Sequence, residues 1–222
     1  MNQAHDDVVV AEALRRLFVA ANLPWPPPER RTVMPVPLDR LIATYNVVHD
    51  EVPGLTRAAA AAFLARWGVQ RPELLEDATP LAGFLFANAH GGYILVNADD
   101  SLPRRRFTAA HELGHYLLHF LPRLRTTQDV ETYLVQDDND EMVREEDTSN
   151  ADKNLSLPEM ERQANRFAAE LLMPESICRR ATDLYTARFR TPARFLEHHL
   201  ARDMLVSREA MRWRLRSLDL LA

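Results

Sequence analysis

Cysteine is almost missing: Cys178 is the single one in 222 residues. No disulfide can close within the chain, which agrees with a reducing compartment. Set in ESICRR, that thiol reads as a small packed hydrophobe rather than a nucleophile. Lysine is as scarce. Lys153 stands alone and arginine carries the rest of the basic charge, a skew with no functional weight by itself. Excess positive charge is also absent: the net charge is −5, so the whole chain is no polyanion binder. No apolar run approaches the ~18–20 residues that cross a bilayer. The longest, Leu55 to Phe63, is interrupted by Thr56 and Arg57. The opening MNQAHDDVVV has acids where a secretory leader has bases. A cytoplasmic location with no membrane partner is the expectation. With 46% hydrophobic and 27% charged residues, the chain can bury a core, which excludes wholesale disorder.

Residues 8–22 read as a helix with Val9, Leu14, Leu17 and Phe18 near one face. Six prolines between Pro24 and Pro37 forbid its continuation and mark an extended arm. Leu38 to Val48 reads as a short helix, and alanine-rich Leu55 to Trp67 as another, ended by Gly68. The period then changes. Leu81 to Ala87 and Tyr93 to Val96 are two strands around His90-Gly91-Gly92, stopped by the turn residues Asn97 to Ser101. A helix starts at Pro103 or Arg104 and runs to about Phe120. From Gln128 to Lys153 the chain is acidic and polar, which predicts a mobile loop. Pro158 opens a further helix ending near Met173-Pro174, and Glu175 to Leu218 reads as short, arginine-rich helices.

The informative stretch is FTAAHELGHYLLH, residues 107–119. On a helix, His111 and His115 lie one above the other and can point both imidazoles at one metal ion. Glu112, rotated by about 100°, is placed to reach a water at the metal's open position. These are the needs of a zinc hydrolase: two ligands and an adjacent base. Phe107, Ala110, Leu113, Leu117 and Leu118 are available to pack this helix. Gly114 costs ~1 kcal/mol relative to alanine and makes sense where something approaches closely. A third ligand must come from elsewhere. The helix PEMERQANRFAAELLMP places Glu161, Ala164, Asn165 and Ala168 on one face. Its alanines permit close approach, so Glu161 is the candidate ligand and Asn165 its neighbour one turn on. Glu159 and Glu170 point elsewhere, toward solvent. His119 continues the ligand face as a fourth ligand, a substrate contact or an exposed helix-end residue, and exposure is the first choice.

FTAAHELGHYLLH followed by ERQANRFAAELLMP resembles the ImmA/IrrE-type metallopeptidases. The resemblance takes in GGYILVN and LVSREAMRWRLRSL as well, and covers about residues 80–120 and 157–220, more weakly 38–80. It implies an α+β, zincin-like metallopeptidase domain, mostly helical with a small sheet, and a small C-terminal helical, helix-turn-helix-like subdomain. The corresponding divisions are 1–37 (N-terminal helix and proline-rich arm), 38–174 (catalytic domain with an acidic insertion at 125–156) and 175–222. It also implies a zinc site with His111, His115 and Glu161 as ligands and Glu112 as general base. Many members carry a second glutamate two residues after the ligand glutamate; Gln163 stands there in this chain, which favours Glu161. Characterised members cleave helix-turn-helix repressors and release phage, mobile-element or stress-response genes, and others occur in toxin–antitoxin-like operons.

Zinc is the default ion for a His/His/Glu site, with manganese or another divalent ion as the alternative. Candidates for stabilising the oxyanion are Tyr116, His119, Tyr133, His198 and His199. The strand Tyr93–Val96 is the expected edge for a peptide substrate. The alternative to a peptidase is a regulator that binds DNA or protein through its C-terminal helices, with Arg208, Arg212, Arg214 and Arg216 toward phosphates. Against it, Ser207 reads as a cap and Ala210, Met211 and Leu215 as packing residues.

Overall fold

The computed structural model describes residues 3–25, 34–70, 72–88, 91–124, 133–137, 156–188 and 190–221. Four strands form one mixed sheet in the order β1-β3-β2-β4. They are β1 (Val47–Val52), β2 (Gly83–Asn88), β3 (Gly91–Asn97) and β4 (Tyr133–Asp137). β2 and β3 are the two expected strands and pair antiparallel with Leu85 opposite Ile94, but Gly91 and Gly92, expected as the turn, belong to β3, opposite Asn88 and Ala87. β1 runs parallel to β3, and β4 antiparallel to β2 with Gly83 opposite Asp137.

The apolar runs of β2 and β3 show no alternation because both faces of the sheet are covered. Leu85, Ala87, Ile94 and Val96 enter the larger core cluster, whereas Phe84, Phe86 and Leu95 join a second cluster on the other face. Helix α3 (Arg57–Ala65) fills that second cluster with Ala60, Ala61, Phe63 and Leu64. Thr56 caps it, its hydroxyl accepting from Ala59 N at 3.1 Å. The larger cluster is built from α1 (Gln3–Ala20), α2 (Leu38–Ile42), α4 (Leu102–His115) and α6 (Leu157–Leu172). α4 continues through a π turn, Tyr116–Phe120, into α5 (Leu121–Leu124). The chain is thus mostly helical α+β. No helix among the described residues is long and apolar enough to cross a membrane.

Three sequence expectations need correction here. The helix expected over Leu38 to Val48 stops early: a 3-10 turn, Ala43–Tyr45, leads to Asn46, whose left-handed φ of 56° turns the chain into β1. β1 escaped notice because VVHDEV buries only Val47 and has no apolar period. Its presence also places β3 between β1 and β2, so Tyr93–Val96 is an inner strand and not a free edge. Finally, Tyr133–Asp137 of the expected acidic loop is a strand. Except for Ser156, the rest of the 125–156 segment lies outside the described residues, as do residues 26–33 of the proline-rich arm.

Three further helices follow: α7 (Glu175–Asp183), α8 (Ala193–Met204) and α9 (Arg208–Ser217). α8 ends at Leu205, in the left-handed region, and Ser207 caps α9 by accepting from Ala210 N at 3.0 Å. Met211 and Leu215 are fully buried. Three arginines of α9 are held by acids, and one of them is buried. Arg214 is buried, donates to the Met173 carbonyl at 2.9 Å and pairs with Glu170. Glu170 is therefore an anchor for α9, not the solvated acid that the sequence suggested. Arg208 and Arg212 both bind Glu197 at 2.7 Å. Cys178 is fully buried and burial pushes its thiol up to about 12, so it packs as a hydrophobe.

Glu197 supplies a test of this tail. Hydrogen bonds from Arg212, then Arg208, outweigh the opposing effect of burial and hold its carboxyl at about 2. An unfolded glutamate titrates near ~4.3. The stabilisation is therefore complete above that value and lost as pH falls toward 2. Glu197→Gln should lower the melting temperature by a few degrees at neutral pH. The gap to the wild type should close as the pH of the thermal scan is taken down through that window.

Candidate metal centre

α4 starts with Pro103 in its first turn, where a missing N–H costs nothing, and carries His111 and His115 one turn apart. α6 is fixed at its start by a capping box, in which Ser156 N donates to Glu159 Oε2 at 2.8 Å. That box gives Glu159 a local role. The two helices meet at Gly114. A Cβ there would lie 3.1 Å from Phe167 Cδ1 and 3.2 Å from Ala164 Cα. The glycine is the close-approach residue that its helix position implied.

The contact brings Glu161 over the histidines. Its Oε2 is 3.2 Å from His111 Nε2, its Oε1 is 3.1 Å from His115 Nε2, and the two Nε2 atoms are 2.9 Å apart. Ligands held tetrahedrally at ~2.0–2.1 Å from zinc lie roughly 3.3 Å from one another, so the three groups fit a small divalent ion with little movement. Both histidines are buried. Burial, which outweighs the help from Glu161, pushes His115 below its ordinary value and keeps it neutral. Burial acts the opposite way on Glu161, but the facing imidazoles of His111 and His115 overcome it and hold the carboxyl well below its ordinary range. Neutral imidazoles and an ionised carboxylate are the forms that bind metal.

The ring nitrogens that face away are also engaged. His111 Nδ1 lies 3.1 Å from Asn165 Oδ1. An amide oxygen only accepts, so the proton sits on Nδ1 and the Nε2 lone pair faces Glu161. Asn165 therefore lies directly behind His111. His119 departs from the expectation: it is buried at 3% exposure rather than exposed, with its Nδ1 3.1 Å from His115 Nδ1. The π turn after His115 carries it there, a backbone form frequent at functional sites. Tyr116 is buried against Tyr45, donating to its carbonyl at 3.4 Å, and packs near Gly92 instead of joining the cluster. His198 and His199 lie on α8, where His199 stacks on Tyr185. Tyr133 begins β4, a strand whose side chains lie outside the described residues.

Glu112 is wholly buried. It presses on β2 at Gly83, where a Cβ would meet Thr108 Cγ2 at 2.4 Å and Glu112 Oε1 at 2.8 Å. Gly83 is the site residue that the sequence reading missed. Its signal was a glycine at the head of an otherwise apolar strand, which marks a close approach by another group.

The arrangement can hold a divalent cation on one carboxylate and two imidazoles, with a second carboxylate beside the first ligand. The profile of the IrrE N-terminal-like domain, peptidase family M78, matches residues 76–216. No curated protein matches the chain.

Proposed function

The chain belongs to the ImmA/IrrE family of M78 metallopeptidases, and from that membership we propose a zinc-dependent endopeptidase that cleaves a helix-turn-helix repressor. Cleavage would derepress phage, mobile-element, toxin–antitoxin or stress-response genes. The observation that carries the reading is the convergence of His111, His115 and Glu161 within 4.8 Å of one another, with Glu112 buried as the next residue of the same helix. The repressor substrate rests on the resemblance of FTAAHELGHYLLH and ERQANRFAAELLMP to that family.

His111, His115 and Glu161 would hold a divalent ion, which would supply Lewis acidity toward a water and the scissile carbonyl. Zinc is the ion that suits this donor set best, ahead of manganese. Glu112 takes the proton of the attacking water and hands it to the departing amide nitrogen. Asn165 and His119 orient His111 and His115. A substrate peptide adds as a further strand to β4, one of the two outer strands. β4 is preferred to β1 because its partner β2 carries Gly83, which touches Glu112.

DNA binding by the C-terminal helices is less favoured, because Arg208, Arg212 and Arg214 are already committed to Glu197, Glu170 and Met173. The test is a search for new protein N-termini in the native host, with and without stress, comparing the wild-type chain with Glu112→Gln. A terminus inside a helix-turn-helix protein that forms only with wild type is the expected result. No differential terminus under any condition would count against the peptidase.

A further inference from the structure

One buried residue near the chain's start has no part in the mechanism above. Asp6, on α1, is 4% exposed. Its Oδ2 accepts from Arg162 Nε at 2.9 Å and its Oδ1 from Gln163 Nε2 at 2.8 Å. Gln163 turns its other end, Oε1, to His119 Nε2 at 3.2 Å. His119 reaches His115 through its remaining nitrogen at 3.1 Å. A hydrogen-bonded row therefore runs from α1 through α6 and the π turn to a metal ligand: Asp6, Gln163, His119, His115.

The row has one consistent polarity. At the far end a carboxylate only accepts, so Gln163 presents its NH₂ to Asp6 and its carbonyl oxygen to His119. His119 must then carry its proton on Nε2 and offer a bare Nδ1. His115 donates its Nδ1–H there, which turns its bare Nε2 toward Glu161 and the Nε2 of His111, three acceptors that a shared cation reconciles. Reversing any link within the row would put two donors or two acceptors face to face. The carboxylate thus selects the ligand tautomer of a histidine three residues away in the row. Hydrogen bonds in such rows polarise one another, which raises the basicity of the ligating nitrogen.

We propose that Asp6 is a positioning residue for the metal centre, acting through Gln163 and His119 to hold His115 as a ligand. It lies outside residues 76–216, the stretch that matches the family, so α1 contributes to the site as well as to the core. The proposal rests on the metal reading above.

Asp7 is the internal control. It pairs with Arg166 at 2.8 Å, joining the same two helices one residue along, and is not part of the row. Asp7 is the more exposed of the two aspartates; a mere tether between α1 and α6 would lower the stability of either variant without lowering the zinc affinity of the folded chain.

Zinc affinity of the purified full chain, measured by competition with a chromogenic chelator, separates these cases. Outer partners of metal ligands typically change affinity by ~10–100-fold. Asp6→Asn should weaken zinc binding by about tenfold, with Asp7→Asn within about twofold of wild type. Gln163→Leu cuts the row in the middle while leaving α1 its contact with Arg162, and should weaken binding by at least as much as Asp6→Asn. It gives the same answer if the Asp6 variant fails to fold. In the Gln163→Leu background Asp6→Asn should add nothing. Nitrogen-15 spectra of the imidazoles should show His115 protonated at Nδ1 in the wild type and a mixture of tautomers in Asp6→Asn. Unchanged zinc affinity in Asp6→Asn, an equal loss in Asp7→Asn, or a full additional loss in the double variant would each overturn the proposal. A wild-type chain that takes up no zinc would overturn the metal reading itself, before any variant is compared.

Discussion

Glu112→Gln is expected to lower peptide cleavage by about 10²–10⁴-fold, the range that a positioned proton-transfer group contributes, while the chain still takes up one equivalent of metal. The variant is nearly isosteric, and Glu112 is not among the three convergent ligands. What changes is proton affinity: an amide cannot take a proton from water at neutral pH. The side chain is wholly buried against Gly83 and Thr108. A neutral amide of the same shape is cheaper to bury there than an ionised carboxylate. Thermal stability should therefore hold or rise while activity collapses. Turnover of the substrate that the search for new N-termini finds, metal content and a thermal scan on the same preparation check all three parts. Cleavage at the wild-type rate would remove Glu112 from the mechanism.

Gly83→Ala is expected to cost activity on the order of 10²-fold with the metal site intact. The added methyl would sit 2.4 Å from Thr108 Cγ2 and 2.8 Å from Glu112 Oε1. Atoms do not approach so closely, so something must move. Thr108 is buried on a helix, where a branched side chain has few rotamers to escape into. Glu112 is the softer neighbour and is displaced. A shift of ~1 Å in a reacting group is enough for a loss of this size. His111, His115 and Glu161 belong to the α4–α6 contact and are not touched by the methyl. Zinc affinity within about twofold of wild type, beside a fall in kcat, is the signature. Equal losses in zinc affinity and kcat would mean that the whole of α4 had shifted.

The metal ligands were legible in the sequence because helical spacing is a local property. His111, Glu112 and His115 need only the 3.6-residue period, and Glu161 needs only that period and a face of small residues. Gly114 gave away the helix contact for the same reason. What stayed hidden depends on partners distant in the chain. β1 is nearly polar and is a strand only because β3 is there to pair with it. Gly83 matters through a helix that begins 19 residues later, at Leu102. His119 was misplaced because a π turn alters the facing of the residues after His115, and nothing in YLLHF announces one. Asp6 was noted only among the acids of MNQAHDDVVV, ahead of the expected helix, and its role needs α6 beside it.

Cys178 gives the fold an internal clock. It is the only thiol in the chain, it is fully buried on α7, and its Sγ lies 3.6 Å from the Met173 carbonyl at the end of the helix that bears Glu161. With burial pushing its pKa up to about 12, the closed protein presents almost no thiolate at pH 8. Alkylation at that pH therefore counts excursions in which α7 leaves its neighbours and the thiol recovers its ordinary acidity. Because α6 joins that thiol to Glu161, the same slow chemistry reads out how firmly an occupied metal centre closes the helices behind it.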